Sequence, residues 1–173
     1  MNINKPNYFI SRKQGSSLGQ AWRHCSYYGF PLNTAFTVHF ALAGLKGDYI
    51  EGRQKIIERL RKEILGKGLF PHDAIFSCLW AMENNHDGKD AHLYGAVHLP
   101  SNLDEDYLQD FLEGVVKGID GAMLVKPVYD SGWLTYMLKG CHPDDYDYFN
   151  IPRSLRKKQG IIWGKRCGAS QAI

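Results

Sequence analysis

At 173 residues, with 44% hydrophobic and 13% aromatic content, the chain has the size and apolar material of one globular domain and is not a disordered polymer. Twenty-one basic against eighteen acidic residues give a formal net charge of +3, too small a surplus to name a partner class by itself. No apolar run reaches transmembrane length and Met1 to Arg12 hold no signal-peptide core, so the sequence predicts a cytoplasmic protein with no membrane partner.

Cys25, Cys78, Cys141 and Cys167 are scattered without short paired spacing, so reduced thiols are expected rather than a zinc site or disulfide framework. Residues 1–33 show weak periodicity and read as an irregular arm. Its aromatics (Tyr8, Phe9, Trp22, Tyr27, Tyr28, Phe30) interleave with Lys5, Arg12, Lys13 and Arg23, a mixture that either packs on the domain or stacks on bases. Thr34 to Leu42 reads as the first strand, with Phe36, Val38 and Phe40 on one face and Thr37 and His39 on the other. Asp48 is placed to cap a helix over Tyr49 to Leu65, whose Ile50, Ile56, Ile57, Leu60 and Ile64 fall at helical spacing; Gly66 and Gly68 stop it.

Ala74 to Met82 is apolar on both faces, as in a central strand covered on both sides. Glu83 follows, then a turn sequence from Asn84 to Lys89 with Asp87-Gly88 inside it. Asp90 leads into a strand that alternates strictly from His92 to Leu99 and ends at Pro100. Leu93, Val97 and Leu99 share its apolar face; His92, Tyr94, small Ala96 and His98 share the other. The two strands predict an antiparallel hairpin that sets Glu83 beside His92. Asp104 to Lys117 carries a helical stripe of Leu108, Phe111, Leu112, Val115 and Val116. Ala122 to Tyr129 is a fourth strand, with Pro127 marking an edge or its end. Asp130 or Ser131 caps a last helix through Trp133, Tyr136 and Lys139, closed by Gly140.

The order is β-α-β-β-α-β followed by a helix. It predicts an α+β, ferredoxin-like (split βαβ) fold for residues 34–150: one antiparallel sheet, two helices on one face, the other face available, and an additional C-terminal helix. Residues 151–173 form a basic tail packed on or extending from that domain. It holds Arg153, Arg156, Lys157, Lys158, Lys165 and Arg166 with no acid, directly after Asp144, Asp145 and Asp147. Such a tail is either a solvated end or a phosphate-contacting segment.

The candidate chemistry is phosphoryl transfer. Tyr136 and Lys139, three apart on one helix, share a face, and an ammonium there would stabilise a developing phenolate or the phosphate it attacks. A divalent cation held by His92 and Glu83 would polarise a phosphodiester. His98, six strand residues beyond His92 and about 20 Å away by strand rise, is outside that site and reads as a phosphate contact or a surface histidine.

In order and spacing these motifs resemble the HUH endonucleases, the rolling-circle replication initiators. Phe36-Thr37-Val38-His39-Phe40 resembles their first-strand motif, His92-Leu93-Tyr94-Gly95 their metal motif after an upstream acid, and Tyr136-Met137-Leu138-Lys139-Gly140 their nucleophile motif. Gly164-Lys165-Arg166-Cys167-Gly168-Ala169-Ser170 is similar to an ending of small bacterial and phage replication-initiator-like proteins. The departure is Tyr94, which stands where the group has its second metal-motif histidine. A protonated tyrosine is a poor ligand for magnesium or manganese, which leaves His92, Glu83, waters and Asp90 as the implied metal set. The resemblance implies a Mg²⁺- or Mn²⁺-dependent enzyme that nicks and joins single-stranded DNA, with Tyr136 as nucleophile and Lys139 assisting it. Tyr94, His98, Thr37, His39 and the tail cations would contact the nucleic acid, and RNA would suit the same open sheet face. No Gly-x-x-x-x-Gly-Lys-Ser/Thr loop occurs, so a plasmid or phage initiator of this kind would rely on a host helicase. The alternative is a non-catalytic nucleic-acid-binding or inhibitory protein on the same fold.

Overall fold

The computed structural model describes residues 6–45, 49–66, 76–85, 87, 89–100, 105–115 and 121–170. In chain order the elements are β1 (Pro6–Asn7), α1 (Arg12–Tyr27), β2 (Thr34–His39), α2 (Tyr49–Gly66), β3 (Cys78–Asn84), β4 (Ala91–Val97), α3 (Glu105–Val115), β5 (Met123–Pro127), α4 (Gly132–Met137), β6 (Ile162–Trp163) and β7 (Cys167–Ala169). Short 3-10 turns follow α4 at Leu138–Gly140, Pro143–Asp145 and Arg153–Leu155. Asp48, Gly68, Ala74, His86, Gly88, Asp104, Val116 and Lys117 lie outside the described residues.

The alternating strands do what their pattern requires. One face of the sheet carries Phe36 and Val38 of β2, Trp80 and Met82 of β3, and Leu93 and Val97 of β4. Ile56, Leu60 and Ile64 of α2 and Leu108 and Leu112 of α3 close over them. Each such side chain taken out of water contributes about 1.5–3 kcal/mol. Every strand pair in the main sheet is antiparallel, in the order β5-β2-β4-β3-β7. The β2-α2-β3-β4-α3-β5 core is thus the α+β split βαβ arrangement, with α2 and α3 on one face. Among the described residues no helix is long and apolar enough to cross a membrane.

Three features differ from the sequence reading. The stretch expected to be an irregular arm contains α1, a sixteen-residue helix started by a full capping box in which the Ser11 hydroxyl accepts from the Gln14 backbone and the Gln14 side chain accepts from the Ser11 backbone. Gly15 and Gly19 lower its intrinsic helix propensity and masked it. Gly15 is there because the ring of Phe149 lies against it: a β-carbon would stand 2.5 Å from that ring. The basic tail, in turn, supplies two short strands. β7 extends the sheet beyond β3, and β6 pairs with β1 in a small second sheet.

The second face of the main sheet is also not fully open. Leu79, Ala81, Tyr94 and Ala96 are covered by Leu18 and Cys25 of α1, Met137 and Leu138 of the last helical segment, and Ile151 and Cys167. Over β2 and β5 that cover ends, and Leu124 and Lys126 remain exposed. All four cysteines are buried and free.

Candidate active site

The antiparallel register builds the site's first row. His92 on β4 is paired with His39 across β2 and with Glu83 across β3, so the three side chains stand side by side on the second face. Tyr94, two residues along β4, is flanked in the same way by Thr37 and Ala81. Its neighbour Gly95 is a space requirement, since a β-carbon there would sit 2.1 Å from the Phe36 ring. The Gly95 carbonyl accepts from the Trp133 indole N–H at 3.0 Å, which fixes the start of α4 over β4. Asp130 caps that helix by accepting from the Gly132 backbone at 2.7 Å, and Ser131 makes no side-chain cap.

Beneath the row lies a buried polar network. The Lys139 ammonium pairs with the Glu83 carboxylate at 2.7 Å, with both side chains about nine-tenths buried. Lys139 also donates to the Tyr94 hydroxyl at 3.2 Å and lies 4.4 Å from the Tyr94 ring centre and 3.8 Å from that of Tyr136. Gln159 donates to Glu83 at 3.2 Å. Burial alone would raise the Glu83 pKa; the ammonium of Lys139 and hydrogen bonds from Lys139, Tyr94 and Gln159 outweigh it and hold the carboxyl below its ordinary range. Burial, then the Glu83 charge and the Tyr136 hydroxyl, push the Tyr94 phenol upward, so Tyr94 stays protonated. Tyr136 is half-buried, stacked on Trp133 at 5.1 Å and edge-on to Tyr94 at 5.2 Å.

Above the network the polar atoms converge. Asp90 Oδ1 lies 3.2 Å from His92 Nε2 and 4.0 Å from His39 Nδ1, and the three residues offer ligand atoms all within 4.8 Å of one another. The rings of His39 and His92 meet edge to face at 4.0 Å. Burial and the neighbouring His39 lower the His92 pKa against the pull of Asp90 and Glu83, which favours the neutral imidazole. Asn85 holds the other Asp90 oxygen at 3.1 Å, and the Asn84 side chain accepts from the Asp90 backbone at 3.2 Å. A cavity of about 410 Å³ opens beside the two histidines, lined by Thr37, His39, His92, Tyr94, Lys126 and Tyr136. A larger cleft of about 630 Å³ near Arg53 and Trp80 lies on the α2 side of the sheet, away from these groups.

Of the residues singled out from sequence, Tyr136, Lys139, Glu83, His92, Asp90, Tyr94, Thr37 and His39 come together here. Glu83 is engaged by Lys139 and Gln159, while His39 stands with Asp90 and His92. His98 does not join them. It bonds the Pro31 carbonyl at 2.7 Å and packs edge-on against Phe30. Tyr94 and Thr37 are buried, 6% and 7% exposed, so neither offers the open surface expected of a nucleic-acid contact.

The tail cations divide. Arg166 is fully buried, a correction to its reading as a nucleic-acid contact: its guanidinium donates to the backbone carbonyls of Asn7, Tyr8 and Gly160 and to the Gln159 side chain. Arg156 bonds the Ile151 carbonyl and Asp147, and Arg12 of α1 pairs with Asp145, so two of the three acids preceding the tail are neutralised locally. Arg153, Lys157, Lys158 and Lys165 are exposed. Gln159, which sequence reasoning passed over, ties the Lys157-Lys158 pair to the Glu83 end of the site. Comparison with protein-family models, with curated proteins and with solved structures returns no match to this chain.

Proposed function

We propose that the protein is a metal-dependent enzyme that nicks and rejoins single-stranded DNA through Tyr136, in the manner of the rolling-circle initiators its motifs resemble. The supporting observation is that Tyr136, half-buried, lines one cavity with His39 and His92, the two histidines that stand within ligand reach of Asp90. The donor set suits a divalent cation: His92 Nε2 is buried with no hydrogen-bond partner, although a carboxylate oxygen lies 3.2 Å away. A Mg²⁺ or Mn²⁺ ion bound there would polarise the phosphate oxygens.

The chain's own residues account for the rest. Trp133 and Tyr94 hold the Tyr136 ring on two sides, which limits it to few orientations. Lys139, over that ring, favours negative charge developing on its oxygen. In the reaction the Tyr136 oxygen forms a bond to phosphorus and loses its proton. The bond from phosphorus to the 3′ oxygen breaks, and that oxygen gains a proton. One phosphoester replaces another with no net hydrolysis and no redox change, so the reverse reaction rejoins the strand. The exposed Lys126, Lys157 and Lys158 supply phosphate contacts near this position.

A second reading, a non-catalytic nucleic-acid-binding or inhibitory protein, is favoured by Tyr94 standing buried in the second metal-motif position. Incubation with a mixed single-stranded DNA pool and Mn²⁺, followed by denaturing gels, separates the two. Under the enzyme reading a covalent protein–DNA adduct forms in the wild type and disappears in Tyr136→Phe. DNA binding without adduct under any divalent metal would leave the binder.

A further inference from the structure

We infer that His39, Asp90 and His92 form the site of one divalent transition-metal ion, with His39 from β2 as the second imidazole ligand and Glu83 outside the coordination shell. This rests on the proposed function only in assigning ligands to the ion invoked there; the site stands on its own geometry. Ligand atoms about 2.1 Å from a shared ion lie about 3 Å apart when adjacent and about 4 Å when opposite. The 3.2 Å and 4.0 Å separations from Asp90 Oδ1 fall in that range.

The unmade hydrogen bond is the sharper observation. His92 Nε2 and Asp90 Oδ1 lie 3.2 Å apart, yet the buried Nε2 has no hydrogen-bond partner, which leaves it available to an ion that Oδ1 could share. The surrounding groups hold those atoms in place. Asn85 occupies Oδ2 of Asp90 and leaves Oδ1 free to face the histidines. The Tyr94 oxygen lies 3.3 Å from His92 Nδ1 while accepting from Lys139. An ion on Nε2 requires the imidazole proton on Nδ1, where the Tyr94 oxygen stands at 3.3 Å to accept it. Tyr94 is thus a positioning residue for His92.

Glu83 is committed elsewhere. Its carboxylate is shared between Lys139 and Gln159, and withdrawing it would leave a buried ammonium unpaired. Two imidazoles and one carboxylate form a donor set that suits Mn²⁺, Co²⁺ or Zn²⁺ better than Mg²⁺ or Ca²⁺, which prefer oxygen.

The test is Co²⁺ titration of tag-free protein, followed by the visible absorption of the bound ion and by calorimetry, in wild type, His39→Gln, Asp90→Asn and Glu83→Gln. Circular dichroism confirms that each variant is folded. Should Glu83→Gln fail to fold, Glu83→Gln/Lys139→Met replaces it, since removing both charges leaves neither unpaired. The expected result is one Co²⁺ per wild-type chain, at least roughly tenfold weaker binding in His39→Gln and Asp90→Asn, and near wild-type binding in the Glu83 variant. Wild-type affinity in His39→Gln, loss confined to the Glu83 variant, or no Co²⁺ binding by the wild type overturns the assignment. The adduct assay is scored separately. Intact triad-dependent Co²⁺ binding without adduct sinks the nicking reading and leaves the site, whereas adduct formation with unchanged metal dependence in His39→Gln sinks the site and leaves the nicking.

Discussion

Glu83 and Lys139 show how a residue's role follows from its partners. A carboxylate beside an imidazole on a strand invites reading as a metal ligand, but an ammonium 2.7 Å away inside the protein takes precedence. Losing one member of a buried pair leaves the other charge uncompensated, which typically costs about 3–5 kcal/mol. Glu83→Gln should therefore lower stability by about 3 kcal/mol, read as a shift in urea midpoint, and the added Lys139→Met should restore much of it. The pH dependence has a definite sign. A carboxyl whose folded pKa lies below its unfolded value stabilises the fold above the ordinary carboxylate range and loses that contribution as pH falls through the folded value. From about pH 5 downward the wild type should lose stability more steeply than Glu83→Gln, and parallel acid titrations of the two would contradict this.

At the level of elements, β4 carries the site and Gly95 lets it lie flat against β2. The Phe36 ring, projecting from the paired position on β2, fills the space where a side chain would be. Gly95→Ala should destabilise the protein by about 3 kcal/mol, at the upper end of overpacking effects, because the neighbour is a buried ring between α2 and the sheet. Its thermal midpoint and soluble yield should both fall; a wild-type melting profile would refute the packing account. Helix α1 makes the complementary point. Its Leu18 and Cys25 bury a stripe against β3, β4 and β7, yet two glycines and the mixed aromatics hide the periodicity in the sequence. The capping box Ser11-x-x-Gln14 was the local signal available to find it.

Across the whole molecule, Arg166 joins the two ends of the described chain. Its guanidinium satisfies carbonyls at residues 7, 8 and 160 while β1 pairs with β6 beside it. Burial lowers its pKa to about 10, which leaves it charged at neutral pH. Lysine offers one compact ammonium in place of a planar fork, so Arg166→Lys should cost about 2–4 kcal/mol, measured by denaturant unfolding. Hydrogen exchange should then show β1, β6 and β7 losing protection before β2 and β4; uniform loss would argue that this corner is not a separate unit.

The strand and helix pattern from Thr34 to Lys139 was legible because alternation and 3.6-residue spacing are local properties, and so was the meeting of Glu83 with His92, brought about by one hairpin. The approach of His39 to His92 was only implicit. It follows from the split βαβ strand order, in which the first and third core strands are neighbours, but the two residues are separated by a helix and another strand. What tertiary structure alone decided was competition: that Glu83 meets Lys139, that Arg166 meets buried carbonyls, that the Tyr94 hydroxyl lies buried between Lys139 and His92. Each outcome depends on which opposite charge or lone pair lies within about 3 Å once distant segments pack, and a linear pattern carries no such distance.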